Sequence, residues 1–145
     1  MKNSPTPRRE HRNISLLQLL PYIARFPASA WVSLMHRVSG VLLFLLLPVI
    51  IWVFDLSISS EISFEKLKSG FENGAGFVPG WFFKLLALAV LWAFLHHLVA
   101  GLRFLLLDVN HHAVDKQRSG RSARWVFFIS IPLTVVLGAR IFGVY

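Results

Sequence analysis

A chain of 145 residues that is 55% hydrophobic and 14% aromatic, with a mean hydropathy of +0.60, is far more apolar than a soluble domain of that length needs. Its formal charge of +8 comes from 15 Lys and Arg against 7 Asp and Glu, and these charges flank the apolar runs, a distribution that fits membrane topology and anionic headgroups rather than nucleic acid. With no cysteine, thiolate metal sites, iron–sulfur ligation, disulfides and covalent c-type haem attachment are excluded, so any metal must rest on histidine or carboxylate.

Residues 1–12 are polar and basic and contain two prolines but no apolar h-region with a small-residue cleavage site, so no cleaved signal peptide is expected. Leucines at 16, 17, 19 and 20 predict a short amphipathic segment at the membrane interface over residues 14–23, ending near Arg25-Phe26-Pro27; a simple lead-in to the first span is the alternative. The first span is expected over about 28–56. Its stretch 38–54 carries no charge, Pro48 lies inside it, and Asp55 marks the far interface. Residues 57–80 read as a polar connection with Glu61, Glu65 and Glu72 against Lys66 and Lys68. The second span is expected over about 81–107, with Lys84 at one end and Arg103 and Asp108 at the other. Residues 110–124 read as a short basic loop with Lys116, Arg118, Arg121 and Arg124, followed by a third span over about 125–145 that contains Pro132 and Arg140.

The expected fold class is therefore an all-α membrane protein with three transmembrane helices. A cytoplasmic N-terminal and interfacial segment, 1–27, precedes a three-helix domain, 28–145, and no internal repeat is present. The excess of Lys and Arg in the N-terminal segment and the second loop predicts a cytoplasmic N-terminus and a periplasmic C-terminus. His11, His111 and His112 fall in loops and read as solvated.

Two stretches carry chemistry. In Ser33-Leu34-Met35-His36-Arg37-Val38-Ser39-Gly40, a helix puts Ser33, His36, Arg37 and Gly40 at i, i+3, i+4 and i+7, which places a hydroxyl, an imidazole, a guanidinium and a gap on one face. A cation at the mouth of an apolar helix is costly against lipid, so that face should meet a partner helix, a cofactor or a polar ligand. In the second span, Ala89, Ala93, His97 and Gly101 recur every four positions. Small residues beside an imidazole leave room for a flat macrocycle, and imidazole is the usual axial ligand of b-type haem. An ordinary packing face with His97 hydrogen-bonded to a neighbouring helix is the alternative. His96, about 100° round the helix, is the alternative ligand, disfavoured because Trp92 fills the space one turn earlier. Arg103 has three outlets: snorkelling to the interface, pairing with Asp108, or meeting an anionic propionate. With a rise of about 1.5 Å per residue, His97 lies ~16 Å below Asp108 and His36 ~12 Å below Ala28, so the two stretches meet at one depth.

Ser33-Leu-Met-His36-Arg37-Val-Ser39-Gly40, preceded by Arg25-Phe26-Pro27, together with His97-Leu-Val-Ala-Gly101-Leu-Arg103 and Asp108, resembles the cytochrome b subunit of bacterial succinate dehydrogenase, the large membrane anchor of respiratory complex II. The resemblance implies a multi-pass subunit of the bacterial inner membrane, in which Ser33 and Arg37 help bind ubiquinone. It also implies that His97 is the axial ligand of haem b, and that His36, Arg37 and Arg103 lie near the haem propionates. The implied partners are a flavoprotein subunit, an iron–sulfur subunit and a second small membrane anchor that supplies the other axial ligand. Where some relatives carry another histidine seven residues after the ligand, this chain has Phe104. A fumarate reductase anchor and a haem-free structural anchor are the competing readings, while three spans without a repeat offer no evident path for a transporter.

Overall fold

The computed structural model describes residues 15–109 and 116–144, which form five helices: α1 (Leu16–Ile23), α2 (Ala28–Ser59), α3 (Glu61–Asn73), α4 (Gly80–Val109) and α5 (Lys116–Ile141). The N-terminal residues 1–14, His11 among them, and His111 and His112 lie outside the described residues. Three helices, Ala28–Ser59, Gly80–Val109 and Ser119–Ile141, are long and apolar enough to cross a membrane.

The short segment expected before the first span contains the helix α1. Ser15 caps it by accepting from the Gln18 N–H while the Gln18 side chain accepts from the Ser15 N–H, each at 3.4 Å. Among the described residues α1 packs on no other helix, and Leu17 and Tyr22 are exposed. The prolines at 48 and 132 sit inside continuous helix.

The connection read as a polar loop over 57–80 is largely helical. Helix α2 runs on to Ser59, and Ser60, in extended backbone, ends it and starts α3. The Ser60 hydroxyl accepts from the Ser63 N–H and the Ser63 hydroxyl accepts from the Ser60 N–H, both at 3.1 Å. Ser63 also donates to the Leu56 carbonyl at 2.8 Å, which ties the new helix to the end of the old one. Helix α3 stops at Gly74, whose φ of 97° suits glycine and whose N–H reaches the Gly70 carbonyl at 3.0 Å. A tight turn follows, closed by Ala75 and Val78 exchanging N–H···O bonds of 2.9 and 3.0 Å.

The third membrane helix likewise begins at Lys116, inside the stretch read as a basic loop, and ends at Ile141 rather than at the terminus. Arg121 and Arg124 extend from helix, because charge alone does not interrupt helical hydrogen bonding.

Helix α4 is central and packs on α5, α2 and α3, while α2 also meets α5. The core cluster joins Val32 of α2, Ala100 of α4, and Ala123 and Val126 of α5, with Ala28, Val99, Phe104 and Phe127 packed round it. The start of α2 thus lies beside the end of α4 and the start of α5, so α4 runs antiparallel to both. Much of the remaining apolar surface of the spans is exposed, Phe44, Leu45, Trp52, Leu105 and Leu106 among it, as lipid or partner subunits require.

Candidate functional site

The two chemical stretches meet where α2 crosses α4. The His36 and His97 rings stack with centroids 4.1 Å apart and planes 11° from parallel, and Phe104, one helical face along α4, lies 5.2 Å from the His36 ring. His97 Nδ1 lies 3.1 Å from the His36 carbonyl oxygen and 3.3 Å from Ser39 Oγ. A carbonyl can only accept, which assigns the proton to Nδ1 and leaves Nε2 with its lone pair.

Space at this crossing is set by Gly40. A Cβ built there would stand 2.9 Å from His97 Cε1 and 3.3 Å from Nδ1, closer than the ring permits. Gly101 faces the other imidazole, where a Cβ would meet His36 Nε2 at 3.5 Å, an ordinary contact. The small-residue line through α4 is therefore used unevenly: Ala93 is fully buried, Gly101 half-buried against His36, and Ala89 exposed.

The polar face expected on α2 divides in two. His36, Ser39 and Gly40 turn toward His97, with Ser39 fully buried. Ser33 is half-buried, and Arg37 is exposed on the neighbouring face. Ser39 had no assigned role from sequence. Its one legible signal is the i+3 spacing from His36, which puts both on one side of the helix.

His96 points away from this crossing into the α4–α5 seam and is 0% exposed. Trp92 stacks on it at 5.3 Å, Phe127 lies at 5.4 Å, and Ser130 Oγ is 3.5 Å from Nδ1. The Val32 backbone is near enough to interact with the ring, yet among the described residues no atom meets Nε2 with hydrogen-bond geometry. Surrounded in this way, His96 has no room for a ligand the size of a macrocycle.

Arg103 does not snorkel outward, and its bonds among the described residues run to α5 rather than to Asp108. It is only 7% exposed and turns into α5, where Nε donates to Ser122 Oγ at 3.0 Å and one terminal nitrogen donates to the Ser119 carbonyl at 3.0 Å and to Ser119 Oγ at 3.1 Å. Its guanidinium carbon also lies 5.3 Å from the centre of the Phe104 ring. The arginine is a fastener between two helices, and sequence could not place it without the register of α5.

The profile of the succinate dehydrogenase/fumarate reductase transmembrane subunit family matches residues 3–137, which include both chemical stretches. The succinate dehydrogenase cytochrome b556 subunit of Coxiella burnetii (strain RSA 493 / Nine Mile phase I) is 34% identical over 117 residues, covering 80% of this chain and 87% of that protein. That relative favours succinate dehydrogenase over fumarate reductase as the complex served. Three membrane-spanning helices, two chemical motifs that meet at one crossing and a match over nearly the whole chain place this multi-pass protein in the succinate dehydrogenase/fumarate reductase transmembrane subunit family, as a membrane-anchor subunit of the succinate dehydrogenase complex.

Proposed function

We propose that the chain is the anchor subunit that binds haem b through His97 and contributes Ser33 and Arg37 to a ubiquinone-reduction site. The observation that carries this reading is the His97 ring itself. Its Nδ1–H is donated across the helix crossing to a backbone carbonyl, the arrangement that fixes the tautomer of a metal-ligating imidazole and leaves Nε2 to coordinate. His36 stacks on the face of the ring rather than on its Nε2 edge, so His97 would be able to offer that nitrogen to the haem. Gly40 provides the gap that a side chain would fill. The residues therefore fit the group that the name of the Coxiella burnetii relative, cytochrome b556, carries.

When bound, haem b supplies a one-electron store in the membrane. His97 would hold the haem from this chain, and because His36 is taken up in stacking on His97 at 4.1 Å, a second ligand would come from another chain, a further small anchor. Flavin and iron–sulfur centres likewise belong to partners, since the chain has neither a flavin-binding fingerprint nor a cysteine. Arg37 and Ser33 share one face of α2 at the level of His36 and are accessible to such partners. Electrons arriving there place negative charge on a quinone oxygen, which a fixed guanidinium and a hydroxyl donor stabilise in a low-dielectric site. The exposed Arg121 and Arg124, at the end of the bundle nearest His97, support a cytoplasmic position for that end and for the N-terminus.

The reading is tested by a reduced-minus-oxidised visible spectrum of membranes carrying the chain with its co-expressed complex. A sharp b-type α-band that develops with succinate is expected. No band with either succinate or dithionite would leave the chain a haem-free anchor.

The two glycines give a second, contrasting prediction. Gly40→Ala is expected to displace the His97 ring by a few tenths of an ångström, shifting the α-band or lowering the haem content per complex at least several-fold. Gly101→Ala, where the added methyl meets only an ordinary contact, is expected to leave the spectrum unchanged. Equal effects at both positions, measured as haem per purified complex, would mean that the crossing does not constrain the ligand.

A further inference from the structure

Ser39 is 0% exposed in the middle of an apolar helix, where a hydroxyl must find partners inside the protein. It donates to the His36 carbonyl at 2.9 Å, the usual outlet for a helical serine, but its oxygen also lies 3.3 Å from Nδ1 of His97 on another helix. Because the hydroxyl proton is committed to the carbonyl, the lone pair on Oγ is what faces Nδ1–H. His97 thus shares its proton between two acceptors from one turn of α2, the His36 carbonyl and the Ser39 hydroxyl. Gly40 sits under the ring edge and the His36 ring lies flat against its face. Together these contacts leave the imidazole little freedom to swing or tilt.

Resting on the reading of His97 as an iron ligand, we propose that Ser39 is a positioning residue for that ligand: its hydroxyl holds the plane of the imidazole and, by accepting from Nδ1–H, makes Nε2 a stronger donor, which favours the oxidised iron. An acceptor on the far nitrogen stabilises positive charge on the ring, so a ligand backed in this way gives more electron density to the metal. Removing the hydroxyl leaves the carbonyl as the only acceptor and opens a gap beside the ring, so the metal centre becomes easier to reduce and the ring plane is freer to turn.

The test uses the assembled complex, purified with its partner subunits and titrated potentiometrically at the α-band, with the low-spin ferric EPR signal as a second readout of the angle between axial ligand planes. Ser39→Ala is expected to retain the band and raise the midpoint potential, by as much as a tenfold change in the reduction equilibrium, which for one electron is about 59 mV. Its EPR line is expected to shift or broaden. Ser39→Thr, which restores a hydroxyl, is expected to bring both readouts back toward those of the parent. Ser39→Cys, with a weak acceptor of similar size, should fall between and carries the comparison if the alanine variant does not assemble. A potential and EPR signal unmoved by alanine, or by cysteine in its place, would overturn the role of Ser39. If the band also persists in His97→Leu, the fault lies in the ligand assignment; if that variant loses the band while Ser39→Ala behaves as the parent, only the role of Ser39 falls.

Discussion

His97→Leu is expected to abolish the b-type spectrum of the complex, whereas His36→Leu and His96→Leu retain a band. The difference follows from what each nitrogen faces. His97 has Nδ1–H committed to α2, which leaves the lone pair on Nε2 to serve as the donor that a metal ligand needs. His96 is enclosed by Trp92, Phe127 and Ser130 between α4 and α5, and leucine there removes a buried polar ring without touching the His36–His97 stack. His36 covers one face of His97, so its loss should move the band or the potential without eliminating either. Co-purification of the partner subunits distinguishes a haem-free complex from one that has failed to assemble. An unchanged spectrum in His97→Leu would rule out the ligand assignment.

The second large effect concerns Arg37. Arg37→Leu is expected to lower succinate–quinone reductase activity about 100-fold while leaving succinate oxidation by a water-soluble artificial acceptor unchanged. Loss of one donor that stabilises a developing oxyanion costs roughly 2.7–4 kcal/mol in well-studied sites, which sets that scale. The residue is exposed on α2 and makes no part of the core, so the substitution should spare the fold and the haem spectrum. Arg37→Lys keeps the charge but not the planar fork, and should recover only part of the rate. Parallel loss of both activities would point to failed assembly, and full retention of quinone reduction would remove Arg37 from the site.

The membrane spans were legible because long uncharged runs are a signal that little else in the chain can produce. The meeting of His36 and His97 was legible too, from depth alone, because antiparallel helices on one membrane side bring fixed positions to one level. Helix α3 was not. Its start depends on a reciprocal pair of serines, Ser60 and Ser63, where the usual pattern has an acidic residue or glutamine, and its Ser and Gly content imitates a loop. The early start of α5 was hidden because cations that mark a membrane boundary are as compatible with helix as with loop. The direction of Arg103 and the bond from His97 to Ser39 both depend on the rotation of one helix against another. Periodicity within a single helix fixes which residues share a face, but not which neighbour that face meets.

The arginine on α4 also bears on how the chain enters the membrane. Its polar partners among the described residues come from α5, synthesised afterwards, so a lone α4 emerging into lipid would carry an unsatisfied guanidinium, at a cost of about 2.5–3.5 kcal/mol near mid-membrane and less toward the surface. An α4 that enters the bilayer together with α5 would bring Ser119 and Ser122 to its guanidinium. The bonds between the folded helices would therefore favour entry of the last two spans as a hairpin over entry one at a time.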